Sequence, residues 1–330
     1  MEFTSIVGTQ LRPSRIGLGT WAIGGLEWGG HDDEAALATI RRAFDAGINV
    51  IDTAPIYGEG HAEEVVGKAL KGWRDRVMLA TKAGLEWHGN GEVSRNASAA
   101  RIYKELDASL RRLQTDYVDV YLVHWPDDRT PMEETALAMA GLFKSGKIRA
   151  IGVSNFSPAQ MQEFARYAPL HVVQPPYNIF ETAAARDVLP YAQSHELCAF
   201  TYSALCRGLL SGTMTRETVF HGDDVRLTDP KFQQPRFDHY LGAIARLDAI
   251  ARERFGKRVI HLALRWLLDS PGVGVALWGA RKPHQLEPID GAFDFHVDDD
   301  LRKTIIDIVT EEVSDPIGPD FLAPPLATRS

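Results

Sequence analysis

The chain has 330 residues, 45% of them hydrophobic, with 36 Lys plus Arg against 44 Asp plus Glu for a net charge of −8. That hydrophobic share supports a large core and excludes a disordered chain, and the negative balance weighs against general nucleic-acid or anionic-membrane binding. No apolar run is long enough to cross a bilayer, and the amino terminus lacks the basic cluster and apolar stretch of a signal peptide. The two cysteines, Cys198 and Cys206, build neither a disulfide framework nor a thiolate metal site alone. A soluble, cytoplasmic protein is expected.

In chain order, β-rich runs are predicted at 15–18, 49–51, 77–81, 118–123, 148–153, 171–173, 197–201 and 273–277. Their apolar character suits strands buried on both faces of a parallel sheet. Helical patterns fill the gaps. After Asp32-Asp33, Leu37, Ile40 and Phe44 share a face and Gly47 is placed to end the helix. Ile102, Leu106, Leu110 and Leu113 form a second stripe, and Ser157-Pro158 has the form of an N-cap followed by proline at the first helical position. Further helices are expected over 184–194, 237–254 and 259–269, and near the carboxyl terminus. Alternation of this kind fits either a closed (β/α)8 barrel or an open doubly wound sheet. No composition shift divides the chain, so residues 1–330 read as one domain, with a long turn-rich excursion over 203–235 and an extended proline-containing tail over 314–330.

Gly17-Leu18-Gly19-Thr20-Trp21-Ala22 fits the dinucleotide fingerprint G-x-G-x-x-G/A. That motif requires a helix directly afterwards, to receive the pyrophosphate. Here the chain continues Ile23-Gly24-Gly25-Leu26-Glu27-Trp28-Gly29-Gly30, a poor helix. Any nucleotide is therefore expected elsewhere.

Polar groups recur where the predicted strands end. Asp52, Lys82 and His124 follow the second, third and fourth, Ser154-Asn155 the fifth, Gln174 the sixth and Tyr202 the seventh, while Tyr57 lies on the loop after Asp52. In a barrel these positions share the carboxyl-terminal rim, where catalytic groups sit. Taken singly, each has an ordinary reading: a turn-forming aspartate, a solvated lysine, a hydrogen-bonded histidine, a loop aromatic. Delivery of one ionisable group by each of three successive strands is harder to dismiss.

The run Gly47-Ile48-Asn49-Val50-Ile51-Asp52-Thr53-Ala54-Pro55-Ile56-Tyr57-Gly58, followed by Glu63-Glu64-Val65-Val66-Gly67-Lys68-Ala69-Leu70, resembles the signature of the aldo-keto reductases. Thr81-Lys82, Leu122-Val123-His124-Trp125-Pro126, Gly146 to Phe156 and Arg207-Gly208-Leu209-Leu210-Ser211-Gly212 extend the likeness in family order over about residues 12–290. The resemblance implies the (β/α)8 barrel and a catalytic tetrad of Asp52, Tyr57, Lys82 and His124. In that scheme Tyr57 exchanges a proton with the carbonyl oxygen, Lys82 lowers the phenol's pKa, Asp52 holds the lysine and His124 orients the carbonyl.

The same resemblance implies an extended nicotinamide cofactor across the barrel mouth. Ser154, Asn155 and Gln174 would hold the carboxamide and Tyr202 would stack on the ring. Ser203, Leu205, Arg207 and Gly212 would follow the pyrophosphate, with Thr20 and Trp21 also in contact. Gly279, Ala280, Arg281 and Gln285 would surround the 2′-phosphate, favouring NADP(H), with NAD also possible. Two positions depart from many relatives: Pro288-Ile289 stands in place of Glu-Asn, and Thr213 in place of a common lysine. Trp21, Trp28, Trp87 and Trp125 are expected to wall the substrate pocket. The chain offers no clustered His/Asp ligand set, so no metal is expected. The expected activity is reversible carbonyl reduction and alcohol oxidation, with a resemblance to the bacterial branch of glycerol and glyceraldehyde oxidoreductases. The alternative is a nucleotide-binding regulatory subunit on the same fold.

Overall fold

A computed structural model of the chain describes residues 1–88 and 92–325. The strands are β1 (Ile16–Gly19), β2 (Val50–Asp52), β3 (Met78–Ala83), β4 (Leu85–Trp87), β5 (Val93–Arg95), β6 (Val120–Val123), β7 (Ile151–Ser154), β8 (Val172–Gln174), β9 (Cys198–Thr201) and β10 (Val273–Gly279). Eight of them close into a parallel barrel in the order β1-β10-β9-β8-β7-β6-β3-β2, and β4 and β5 form a separate antiparallel hairpin. The helices are α1 (Trp21–Gly24), α2 (Asp33–Asp45), α3 (His61–Ala69), α4 (Ala99–Leu113), α5 (Met132–Lys144), α6 (Pro158–Phe164), α7 (Val188–Ser194), α8 (Arg236–Phe255), α9 (Val259–Leu268) and α10 (Asp299–Glu312). None of them is long and apolar enough to cross a membrane. The architecture is the (β/α)8 barrel rather than the open sheet.

Strand parity divides the core in two. Val50, Met78, Ala80, Val120, Leu122, Ala150, Val172, Cys198, Phe200, Val275 and Leu277 form one buried cluster inside the barrel, closed from below by Ile6. Ile51, Leu79, Tyr121, Val123, Ile151, Val153, Val173 and Ala199 belong to the larger cluster that the helices cover. Successive strand residues face opposite sides, so the polar residue two positions after an inward one also faces the barrel axis. Asp52 follows Val50 in this way, Lys82 follows Ala80, Gln174 follows Val172 and Tyr202 follows Phe200.

The glycines of the dinucleotide-like run serve this interior. A Cβ on Gly17 would lie 2.8 Å from Leu277 Cδ2 and 3.1 Å from Val50 Cγ1, so only glycine lets β1 pack there. The chain beyond does make one helical turn, α1, before Gly25 (φ 83°) ends it. Four residues are too short for the helix that a Rossmann site requires.

Local signals account for several boundaries. Asp32 caps α2 by accepting from the Ala35 amide, and Ser157 with Gln160 forms a reciprocal capping box at α6, with Pro158 in its first turn. Two strands begin later than predicted, because Val118 contributes only an isolated bridge to Ile148. The buried Asp119 beside it is tied to Arg74 and Arg149 and accepts from the Leu79 amide, taking over part of the ladder. The β4–β5 hairpin was not anticipated; its sequence cue is Leu85-Glu86-Trp87 and Val93-Ser94-Arg95 flanking a glycine-rich run.

The excursion over 203–235 carries three short 3-10 turns, Cys206–Ser211, Val225–Leu227 and Pro230–Phe232. The tail carries another, Asp320–Leu322, and its residues beyond 325 lie outside those described.

Candidate active site

At the carboxyl-terminal mouth, Lys82 Nζ donates to Asp52 Oδ2 at 2.7 Å, to the Thr53 carbonyl at 2.9 Å and to the Tyr57 oxygen at 3.2 Å. Asp52 Oδ1 accepts from Gln174 Nε2 at 2.8 Å. Ser154 Oγ donates to the Gln174 carbonyl, Asn155 Nδ2 donates to the His124 carbonyl and Ser154 Oγ, and Tyr202 donates to Asn155 Oδ1. His124 lies edge-on to Tyr57 at 5.9 Å between ring centroids. The expected tetrad is thus brought together, and one hydrogen-bond network joins it to the residues at the ends of β7, β8 and β9.

The loop bearing Tyr57 is fixed by close backbone contact. Gly58 has φ +63°, and a Cβ there would lie 2.2 Å from the Gly24 carbonyl oxygen. Only glycine tolerates both conditions. That contact sets how far Tyr57 reaches over the mouth.

Burial governs the electrostatics. The Tyr57 phenol is pushed well above its ordinary range by desolvation and by the Asp52 and Glu27 carboxylates. Lys82 is lowered, chiefly by burial, which Asp52 opposes. His124 is held well below the usual imidazole range by burial and by Lys82, and is neutral at neutral pH. The expected lowering of the phenol by Lys82 is therefore not what this structure shows. Lys82 is itself paired with Asp52, and the cost of burying a phenolate near that carboxylate wins.

Two cavities meet at this centre, sharing Trp21, Tyr57 and Tyr202. The first, a groove of about 650 Å³, is lined by Thr20, Ser203, Leu205, Gly279, Ala280, Arg281 and Gln285 among others. The second, a chamber of about 610 Å³, is lined by His124, Trp125, Ser154, Asn155 and Gln174, with Glu27 and, from the tail, Leu322, Pro324 and Pro325.

Several expected contacts fall differently. Arg207 reaches the groove, but its guanidinium is buried against Glu181 and Asp229, at 2.8 Å and 2.5 Å, so its charge is already spent. Gly212 does not line the groove; it turns the chain at φ +68°, where a Cβ would strike Val259. Gln285 lines the groove while its side-chain oxygen caps the Arg281 and Lys282 amides. Trp28 borders the groove rather than the chamber, edge-on to Trp21 at 5.3 Å. Trp87 lines neither cavity, although Leu85, Val93 and Ser94 of the same hairpin line the chamber; the Arg101 guanidinium sits 5.7 Å over its ring.

Other groove residues were missed. Arg226 and Arg258 both line it. Neither follows a barrel strand: Arg226 lies in the excursion and Arg258 precedes α9. Pro288 faces the groove and Ile289 is fully buried in the core, so the two departures from the Glu-Asn pattern leave no polar contact at those positions. Outside both cavities, His31, Asp33 and His61 bring donor atoms within 4.8 Å of one another, a set that the sequence spacing did not reveal. Asp33 there already pairs with His61 and Lys68.

Residues 15–309 match the aldo/keto reductase family. The chain belongs to that family. This aldo/keto reductase is 55% identical over 327 residues to aldo-keto reductase YhdN of Bacillus subtilis (strain 168), covering 98% of each chain. It is 35% identical to the NADH-specific methylglyoxal reductase of Escherichia coli (strain K12), over 88% of this chain and 93% of that one. Among solved structures, the glycerol dehydrogenase AKR11B4 from Gluconobacter oxydans superposes with a TM-score of 0.88 at 48% identity, covering 97% of this reductase and 99% of that chain.

Proposed function

We propose that this aldo/keto reductase is an NADP(H)-dependent enzyme interconverting small aldehydes or ketones and their alcohols, with Tyr57 as the general acid and base. The observation that carries the reading is Lys82 Nζ placed between Asp52 Oδ2 and the Tyr57 oxygen where the two cavities meet. A carbonyl oxygen entering the chamber meets a neutral phenol that can donate, beside a neutral imidazole that can orient it. The bound nicotinamide supplies the hydride. Tyr57 supplies the proton in reduction and takes it back in oxidation, while Asp52 holds Lys82 in place and the Lys82 ammonium donates to the phenol oxygen when the anion forms.

The groove fits such a cofactor. Trp28 Nε1 is buried there without a hydrogen-bond partner, and Gly279 leaves open space where a side chain would stand. Ser203, Cys206 and Arg207 adopt positive φ, and Ser203 and Arg207 line the groove. Ser154, Asn155 and Gln174 would hold the carboxamide, Tyr202 the ring. Arg258 and Arg281 supply cations for phosphate, Arg226 being paired with Asp224, which favours NADP(H); the methylglyoxal reductase relative is named NADH-specific.

The test is NADPH absorbance with an aldehyde panel and NADP⁺ with secondary alcohols, run beside Tyr57→Phe. Turnover in the wild type that is lost in the variant supports the reading. No turnover in either, with saturable nucleotide binding, favours the regulatory alternative. Displacement of cofactor by 2′,5′-ADP but not by 5′-AMP supports NADP(H) over NAD(H).

A further inference from the structure

Away from both cavities, three side chains from different segments converge on one oxygen. His31 Nδ1 lies 3.4 Å from Asp33 Oδ1, and His61 Nε2 lies 2.7 Å from the same atom. All three donor atoms fall within 4.8 Å of one another. The two imidazole rings are 4.4 Å apart between centroids and tilted by 46°. None of the three residues lines the groove or the chamber.

The backbone explains the convergence. Asp33 is the first residue of α2 and His61 the first of α3, two helices that pack together. Asp32 takes the capping role at α2 by accepting from the Ala35 amide, which leaves the Asp33 carboxylate to meet His61. His31 comes from the loop between α1 and α2. Gly25, at φ +83°, opens that loop, and a Cβ there would lie 2.7 Å from His31 Cβ, so only glycine lets the loop fold back against the histidine. The Asp33–His61 pair needs no third partner, yet His31 brings a second imidazole nitrogen to the same oxygen.

The donor set has the chemistry of a metal site. Imidazole nitrogens and a carboxylate oxygen bind zinc at about 2.0–2.2 Å, and a tetrahedral ion with such bonds spaces its ligand atoms about 3.4 Å apart. His31 Nδ1 and Asp33 Oδ1 already have that separation. His61 and Asp33 are closer because they share a hydrogen bond, which an ion replaces. Asp33 Oδ2 faces Lys68 Nζ at 3.6 Å, so Lys68 orients the carboxylate through the oxygen that the ion does not use. The His31 side chain is 59% exposed, which leaves room for water to complete the coordination.

We propose that His31 Nδ1, Asp33 Oδ1 and His61 Nε2 bind a divalent transition-metal ion of the zinc type. Two imidazoles favour such an ion over Mg²⁺ and Ca²⁺, which take oxygen ligands. The ion ties the loop between α1 and α2, which carries Glu27 and Trp28, to the start of α3 just beyond the Tyr57 loop. It braces the frame of the mouth without touching a reacting group. Because the three ligands meet only in the folded chain, binding stabilises the fold.

The test is calorimetric titration of the chelator-treated full-length chain with zinc chloride, with thermal melts alongside. One zinc per chain is expected. Affinity falls at least about tenfold in His31→Ala and in His61→Ala, and holds in His239→Ala, which removes an exposed histidine of α8. Zinc raises the melting temperature of the wild type, and magnesium at the same concentration does not. His31→Ala is the decisive variant, because its side chain is largely exposed and the Asp33–His61 pair survives without it. No zinc binding by the wild type, or binding that either ligand variant retains at wild-type affinity, overturns the proposal. So does a melting temperature that zinc raises equally in the wild type and in His31→Ala.

Discussion

The ammonium of Lys82 stands 3.2 Å from the phenol oxygen of Tyr57, yet the phenol's pKa is raised rather than lowered. Asp52, 2.7 Å from the same ammonium, explains the difference. It compensates the cation, so burial and the Asp52 and Glu27 carboxylates decide the protonation state. The resting site is therefore poised to donate a proton.

That poise gives the two directions different pH profiles. Tyr57 remains protonated, and His124 neutral, from below the ordinary imidazole range to above the ordinary phenol range. Carbonyl reduction is expected to hold level between about pH 6.5 and 9. Alcohol oxidation needs phenolate and is expected to climb throughout that interval. Initial rates in both directions check this; an oxidation rate that is flat from neutral pH upward contradicts it.

Replacing Tyr57 by phenylalanine removes the proton donor and leaves the Lys82–Asp52 pair intact. A loss of about 10² to 10⁴ in kcat is expected, the usual worth of a positioned general acid. Cofactor titration by fluorescence still saturates.

Lys82→Met leaves the Asp52 carboxylate buried with only Gln174 as a side-chain partner. Turnover is abolished while cofactor binding persists, and stability falls by about 3–5 kcal/mol, the usual cost of breaking a buried pair. Urea melts of Lys82→Met with Asp52→Asn check the cause: the double variant regains much of that stability and none of the turnover.

Glu105 makes the fold sensitive to pH away from the reacting groups. Burial raises its carboxyl to about 7, against the lowering by Arg101, while it accepts from the Gly84 amide at 2.7 Å. A raised carboxyl binds a proton more tightly folded than unfolded. Its contribution is thus fully present below the unfolded pKa of about 4.5 and is lost as pH rises toward 7. Denaturant melts from pH 5 to 8 are expected to show this decline, of about 3 kcal/mol at most, and Glu105→Gln to flatten it.

The segment 213–235 is expected to act as a strap across the groove. Asp223 accepts from the Glu27 and Gly29 amides, and across the groove Arg281 donates to the Trp28 carbonyl. Cofactor is expected to protect this segment from proteolysis. Asp223→Ala removes that protection and speeds cofactor release, seen in stopped-flow fluorescence. Equal protease sensitivity with and without NADP⁺ contradicts the strap.

The sequence by itself located the eight barrel strands to within a few residues and, with the barrel that the family resemblance implies, the rim to which Asp52, Lys82, His124, Gln174 and Tyr202 are delivered. An apolar run ending in a polar residue is a local feature and needs no distant partner to be read. Only the tertiary structure decided what those groups do to one another. Whether Lys82 acidifies Tyr57 depends on how much of its field Asp52 and burial cancel, a matter of distance in three dimensions. It also decided that Arg207 is neutralised by Glu181 and Asp229, that Trp87 lines neither cavity, and that Glu27, Arg226 and Arg258 come to the cavities. Those residues lie on excursions and helix starts, where no periodicity fixes direction and position comes from contacts between segments far apart in the chain.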